Sequence, residues 1–82
     1  MINKKQLEKY VLYGREIEFN YKGKRYSITY YIDNGKDKIS FCEFYKTPID
    51  CDTVDELCEI QWDGIKVSDM LANIKEKDTC IF

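Results

Sequence analysis

Apolar residues recur at two different periods along this chain, and the switches between those periods mark its elements. Near the N-terminus Leu7, Tyr10 and Val11 share one helical stripe. Asn3 stands at the N-cap position, Gln6 three residues later completes a capping box, and Ile2 with Leu7 fills the two hydrophobic-staple positions. Gly14 suits a left-handed C-terminal cap, so the pattern predicts a helix over Lys4–Tyr13. From Arg15 the period becomes two. Ile17, Phe19 and Tyr21 point one way, and Glu16, Glu18 and Asn20 the other.

A returning strand, Lys24 to Ile32, follows the Lys22-Gly23 turn, and its register is decided by burial. A two-residue loop sets Tyr21 opposite Lys24, Phe19 opposite Tyr26 and Ile17 opposite Ile28. A three-residue loop would set Glu18 opposite Tyr26 and bury carboxylates, because a one-residue slip exchanges the faces. Asn34-Gly35 then suits the positive φ angles of a type I′ turn and places Tyr30 opposite Ile39 and Ile28 opposite Phe41. Both hairpins select one apolar face: Ile17, Phe19, Tyr26, Ile28, Tyr30, Ile32, Ile39 and Phe41.

The third strand fades after Tyr45, before Pro48, and Ile49–Asp52 reads as a loop. Thr53 with Glu56 is a second capping box, opening a short helix that carries Val54, Leu57 and Cys58. Ile60-Gln61-Trp62 leads into an Asp63-Gly64 turn. Ile65, Val67, Met70, Leu71 and Ile74 predict a further amphipathic helix, with Lys75 and Lys77 at its C-terminal dipole. Thr79–Phe82 reads as a short edge strand. The expected fold is therefore a single α+β domain over residues 1–82. It has an N-terminal helix, a three-stranded antiparallel meander, one or two C-terminal helices on one sheet face, and a short last strand.

The other sheet face carries Glu16, Glu18 and Asn20, then Arg25, Ser27, Thr29 and Tyr31, then Lys38, Ser40, Cys42 and Phe44. The chosen register puts Arg25 between Asn20 and Phe44 with Glu18 on the diagonal, so its guanidinium can stack on Phe44 while pairing with Glu18. Tyr31 lies opposite Lys38. Arg25, Tyr31 and Phe44 make this polar side a candidate partner surface. Trp62 joins it if its ring is exposed near Phe44 or Tyr45, and belongs to the core otherwise.

Composition narrows the chemistry. With 44% apolar and 15% aromatic residues in 82 positions, the chain has the apolar area to fold. There is no histidine, no nucleophile elbow and no glycine-rich phosphate loop, so the expectation is a non-enzyme without cofactors. Cys42, Cys51, Cys58 and Cys80 form no CxxC pair and read as reduced thiols rather than zinc ligands or disulfides. No apolar run approaches a membrane span and no signal-peptide core follows Lys4-Lys5, so the expected location is cytoplasmic.

Charge is uneven. Residues 1–46 hold ten Lys and Arg against six Asp and Glu, whereas residues 47–82 hold three against nine. The order helix, three strands, helix resembles the double-stranded-RNA-binding domain in topology. That family docks with a basic cluster at the helix after the third strand, where this chain has Asp50, Asp52, Asp55 and Glu56. A different basic surface, Lys22, Lys24, Arg25, Lys36 and Lys38 at the hairpins, supplies the nucleic-acid alternative.

The run Gly14-Arg15-Glu16-Ile17-Glu18-Phe19, then Tyr21-Lys22-Gly23-Lys24-Arg25-Tyr26-Ser27-Ile28, with Asp63-Gly64 later, resembles small uncharacterised α+β proteins of low-G+C Gram-positive bacteria and their mobile elements. The resemblance implies a bacterial or phage origin and carries no functional residues across. The expected role is a non-catalytic protein-interaction or regulatory module with a protein partner, itself a monomer or weak dimer.

Overall fold

The computed structural model describes residues 1–82, and its first element follows from the first cap. Helix α1 covers Lys4–Leu12. The Asn3 N–H donates to Gln6 Oε1 and the Gln6 N–H to Asn3 Oδ1, both at 2.9 Å, and Gly14 follows the helix with φ +65°. Strands β1 (Ile17–Tyr21), β2 (Lys24–Asp33) and β3 (Lys36–Glu43) form the meander. The register is the expected one at every pair named above, from Tyr21–Lys24 and Phe19–Tyr26 to Tyr30–Ile39 and Ile28–Phe41. Lys22-Gly23 and Asn34-Gly35 both turn with two successive positive φ angles, the signature of the type I′ turn that matches strand twist.

Two short strands, β4 (Ile49–Cys51) and β7 (Thr79–Ile81), extend the meander to five, in the order β4-β3-β2-β1-β7. Strand β4 (Ile49–Cys51) occupies the segment expected to be loop. Pairing with Ile39–Phe41 turns Ile49 and Cys51 to the apolar side. Strand β7 (Thr79–Ile81) pairs with Ile17–Phe19 at the other edge, as the C-terminal pattern suggested.

Helix α2 (Val54–Glu59) starts on the Thr53–Glu56 capping box. A two-residue hairpin, β5 (Gln61–Trp62) and β6 (Ile65–Lys66), follows around Asp63-Gly64, so Ile65 belongs to a strand rather than to the last helix. Helix α3 spans only Val67–Asn73. Ile74 and Lys75 are already extended, so the two lysines expected at its C-terminal dipole lie beyond it, Lys77 in a 3₁₀ turn at Glu76–Asp78 that leads into β7.

All three helices cover one sheet face. Leu7 from α1, Leu57 and Cys58 from α2, and Val67, Met70 and Leu71 from α3 join Ile17, Phe19, Tyr26, Ile28, Ile39 and Phe41 in one fourteen-residue core that Ile2 and Ile74 complete. Tyr26 stacks between Phe19 and Phe41 at 5.3 and 5.6 Å. The N-terminus is stitched to α3 by the Ile2 N–H donating to the Leu71 carbonyl at 2.8 Å. The expected apolar face fails at one end. Tyr30 is half-buried and Ile32 is 72% exposed, because β1 and the helices do not reach that far along the second hairpin.

Candidate functional site

The site arises from a mismatch of strand lengths. β2 has ten residues and β1 five, and their pairing ends at Ile17–Ile28, so the second hairpin projects past β1 from Thr29 onward. The chain before β1 turns down into the helix layer there. The Arg15 N–H donates to the Tyr10 carbonyl at 2.8 Å, and the Arg15 carbonyl accepts from the Tyr30 hydroxyl at 2.9 Å. Between the end of α1 and the projecting hairpin lies a cleft of about 610 Å³. Val11, Leu12, Tyr13 and Gly14 form one wall, Tyr30, Tyr31, Ile32 and Ile39 the other, and Asp37, Lys38 and Asp52 its polar end. Seven large apolar residues are exposed in the molecule, and four of them line this cleft: Leu12 at 77%, Tyr13 at 73%, Ile32 at 72% and Tyr31 at 42%. Such clustering departs from the scattered exposure expected of a bare surface.

The polar end is held in place. Lys38 pairs with Asp52; their hydrogen bond raises the ammonium and lowers the carboxyl. The Tyr31 hydroxyl donates to Asp50 at 2.8 Å, and that bond raises its pKa. Tyr30, in the wall, is pushed up to about 12 mainly by burial. Asp37 in the cleft and Glu16 beside Tyr30 make no ion pair, and Arg15 is turned toward the Phe82 carbonyl at 2.7 Å.

The residues singled out from sequence fall in three places. Arg25 and Phe44 meet as read: the guanidinium sits 5.4 Å from the ring centroid, 2.8 Å from Glu18 and 3.1 Å from Asn20. Tyr45, wholly exposed and at φ +69°, packs edge-on against Phe44. Tyr31 stands at the other end of the sheet, in the cleft wall. Trp62 lies on the opposite, helix-covered side. Its ring is edge-on to Phe41 at 6.4 Å and its indole N–H donates to Glu43 at 2.7 Å, so it closes the core and shares no surface with Arg25. The basic set is also divided. Lys22 and Lys24 lie in and just after one turn and Lys36 and Lys38 follow the other, at opposite ends of β2.

Sequence reading missed Leu12, Tyr13 and Ile32. The signals were present: Leu12 and Tyr13 fall off the Leu7–Tyr10–Val11 stripe, and the register leaves Ile32 with no strand-one partner. No group of three or more His, Cys, Asp or Glu side chains is placed to hold a metal ion, and the four cysteines are free thiols. No helix is long and apolar enough to cross a membrane. No protein-family model, curated protein or solved structure matches the chain.

Proposed function

We propose that this chain is a non-catalytic protein-interaction module that receives an apolar segment of a protein partner in the cleft between α1 and the second hairpin, in the cytoplasm of a bacterial host or one of its mobile elements. The observation that carries the reading is the collection of four exposed large apolar side chains in one concave site. Its composition, two tyrosines and two aliphatics beside a few fixed polar groups, is that of a protein-docking site. The bacterial setting rests on the resemblance carried by the strand-and-turn segments.

Site-specific photo-crosslinking in cells of the native host tests the reading. A photoreactive phenylalanine analogue at position 12 or 32 is expected to give discrete protein adducts, and the same analogue at exposed Lys5 is expected to give none. Equal adduct patterns at all three positions, or none at 12 and 32, would show that the cleft is not a docking site.

A further inference from the structure

We infer that the cleft takes its partner by strand addition: an extended segment alternating apolar with basic residues pairs with the free edge of β2 at Tyr30 and Ile32. This rests on the docking reading above and states the form of the occupant. The phase of the sheet carries it. The Phe44 N–H donates to the Arg25 carbonyl at 2.9 Å, so the odd-numbered residues of β2 bond to β3 and the even-numbered ones face β1. Strand β1 ends opposite Ile28. The backbone groups of Tyr30 and Ile32 therefore face an edge with no strand on it, and neither backbone N–H has a hydrogen-bond partner there. The Arg15 carbonyl, which would meet the Tyr30 N–H if β1 continued, bonds the Tyr30 hydroxyl instead.

An unpaired strand edge beside an apolar groove is the arrangement that strand-addition recognition uses. Main-chain bonds supply affinity, and alternate side chains enter the groove. The outer edge of β7 is also open, but the hollow beside it exposes a single large apolar side chain, Met1. Charge selects the occupant. Glu16, on the polar face beside Tyr30, is an unpaired carboxylate, whereas Lys38 is held by Asp52 and Arg15 by the Phe82 carbonyl. An incoming Lys or Arg finds a partner there. Area argues against a folded second copy. The exposed parts of Leu12, Tyr13, Tyr31 and Ile32 amount to roughly 500 Å², short of the ~800 Å² per partner of a standard interface, but enough for a short strand.

The probe is a phage-displayed library of random linear peptides, selected on the intact chain and counter-selected on the folded double variant Leu12→Ser/Ile32→Ser. Selected peptides are expected to alternate apolar with polar residues and to carry Lys or Arg. Bound to the ¹⁵N-labelled chain, they should protect the Tyr30 and Ile32 amides from hydrogen exchange. N-methylation of the peptide residues facing β2 should weaken binding about tenfold or more, while methylation of the intervening residues leaves it unchanged. Peptides that shift Leu12 and Ile32 resonances without protecting the two amides overturn strand addition and leave the docking reading standing. Absence of any peptide that perturbs the cleft overturns both. A concentration-dependent dimer that protects the same amides without peptide replaces the linear segment by a second copy.

Discussion

Tyr30 shows how one side chain can belong to core and site at once. Its ring packs against the core cluster, its hydroxyl ties the chain before β1 to the hairpin, and its backbone lies on the open edge. Burial raises this phenol from 10.0 to about 12. It also raises the Cys51 thiol, on β4, from 9.0 to about 11, with nearby Glu56, Asp52 and Asp50 adding to the effect. Both folded values lie above the unfolded ones, so the folded chain keeps protons that the unfolded chain releases. The stability this represents is complete below pH 9.0 and is lost as pH rises through 11 for the thiol and 12 for the phenol. Urea midpoints measured across this range should therefore fall with pH. Tyr30→Phe should flatten the decline between pH 10 and 12, and Cys51→Ala the part between 9 and 11. Parallel curves for wild type and both variants would mean that neither group titrates differently on folding.

Elements in this chain were legible wherever a local signal and a burial pattern agreed. The meander register was fixed by two turns that both demand positive φ and by one apolar face that a slip would invert. Helix α2 was legible from its cap alone, because six residues cannot hold a helix without help. The Thr53 side chain accepts from the Glu56 N–H at 3.1 Å, and Glu56 accepts from the Thr53 and Asp52 N–H groups. Thr53→Ala should therefore cost about 1 kcal/mol in chemical denaturation. It should also loosen Leu57, which is fully buried. A change within error would show that core packing alone sets this helix. What sequence could not supply was pairing without a local signature. Ile49-Asp50-Cys51 after a proline has no period of its own and becomes a strand through β3. The cleft was half-legible for the same reason: Tyr31 and Lys38 were singled out for chemistry, but the concavity depends on where β1 stops.

The molecule as a whole has a helix-covered face, an open polar face and one apolar cleft, and five of its thirteen Lys and Arg side chains are held in ion pairs. Five ion-paired cations can be named: Lys4 with Asp55, Lys24 with Asp63, Arg25 with Glu18, Lys38 with Asp52 and Lys66 with Glu59. Three of these are among the five hairpin cations proposed for phosphate contact. The two turns that carry the set are separated by the length of β2, about 30 Å at 3.3 Å per residue, so the cations cannot act as one patch. A phosphate backbone approaching either end also meets Asp63 and Glu43, or Asp33 and Asp52, beside the lysines, on a chain of net charge −2. At Lys24, Arg25 and Lys38 a phosphate must draw the cation away from its carboxylate, which removes most of the gain from counterion release there and leaves Lys22 and Lys36, one at each end, unpaired. Fluorescence anisotropy with generic single- and double-stranded DNA and RNA should thus show no binding even at about 50 mM salt. Binding that weakens steeply with added salt would mean that these pairs open for phosphate, and would move the functional surface from the cleft to the hairpin tips.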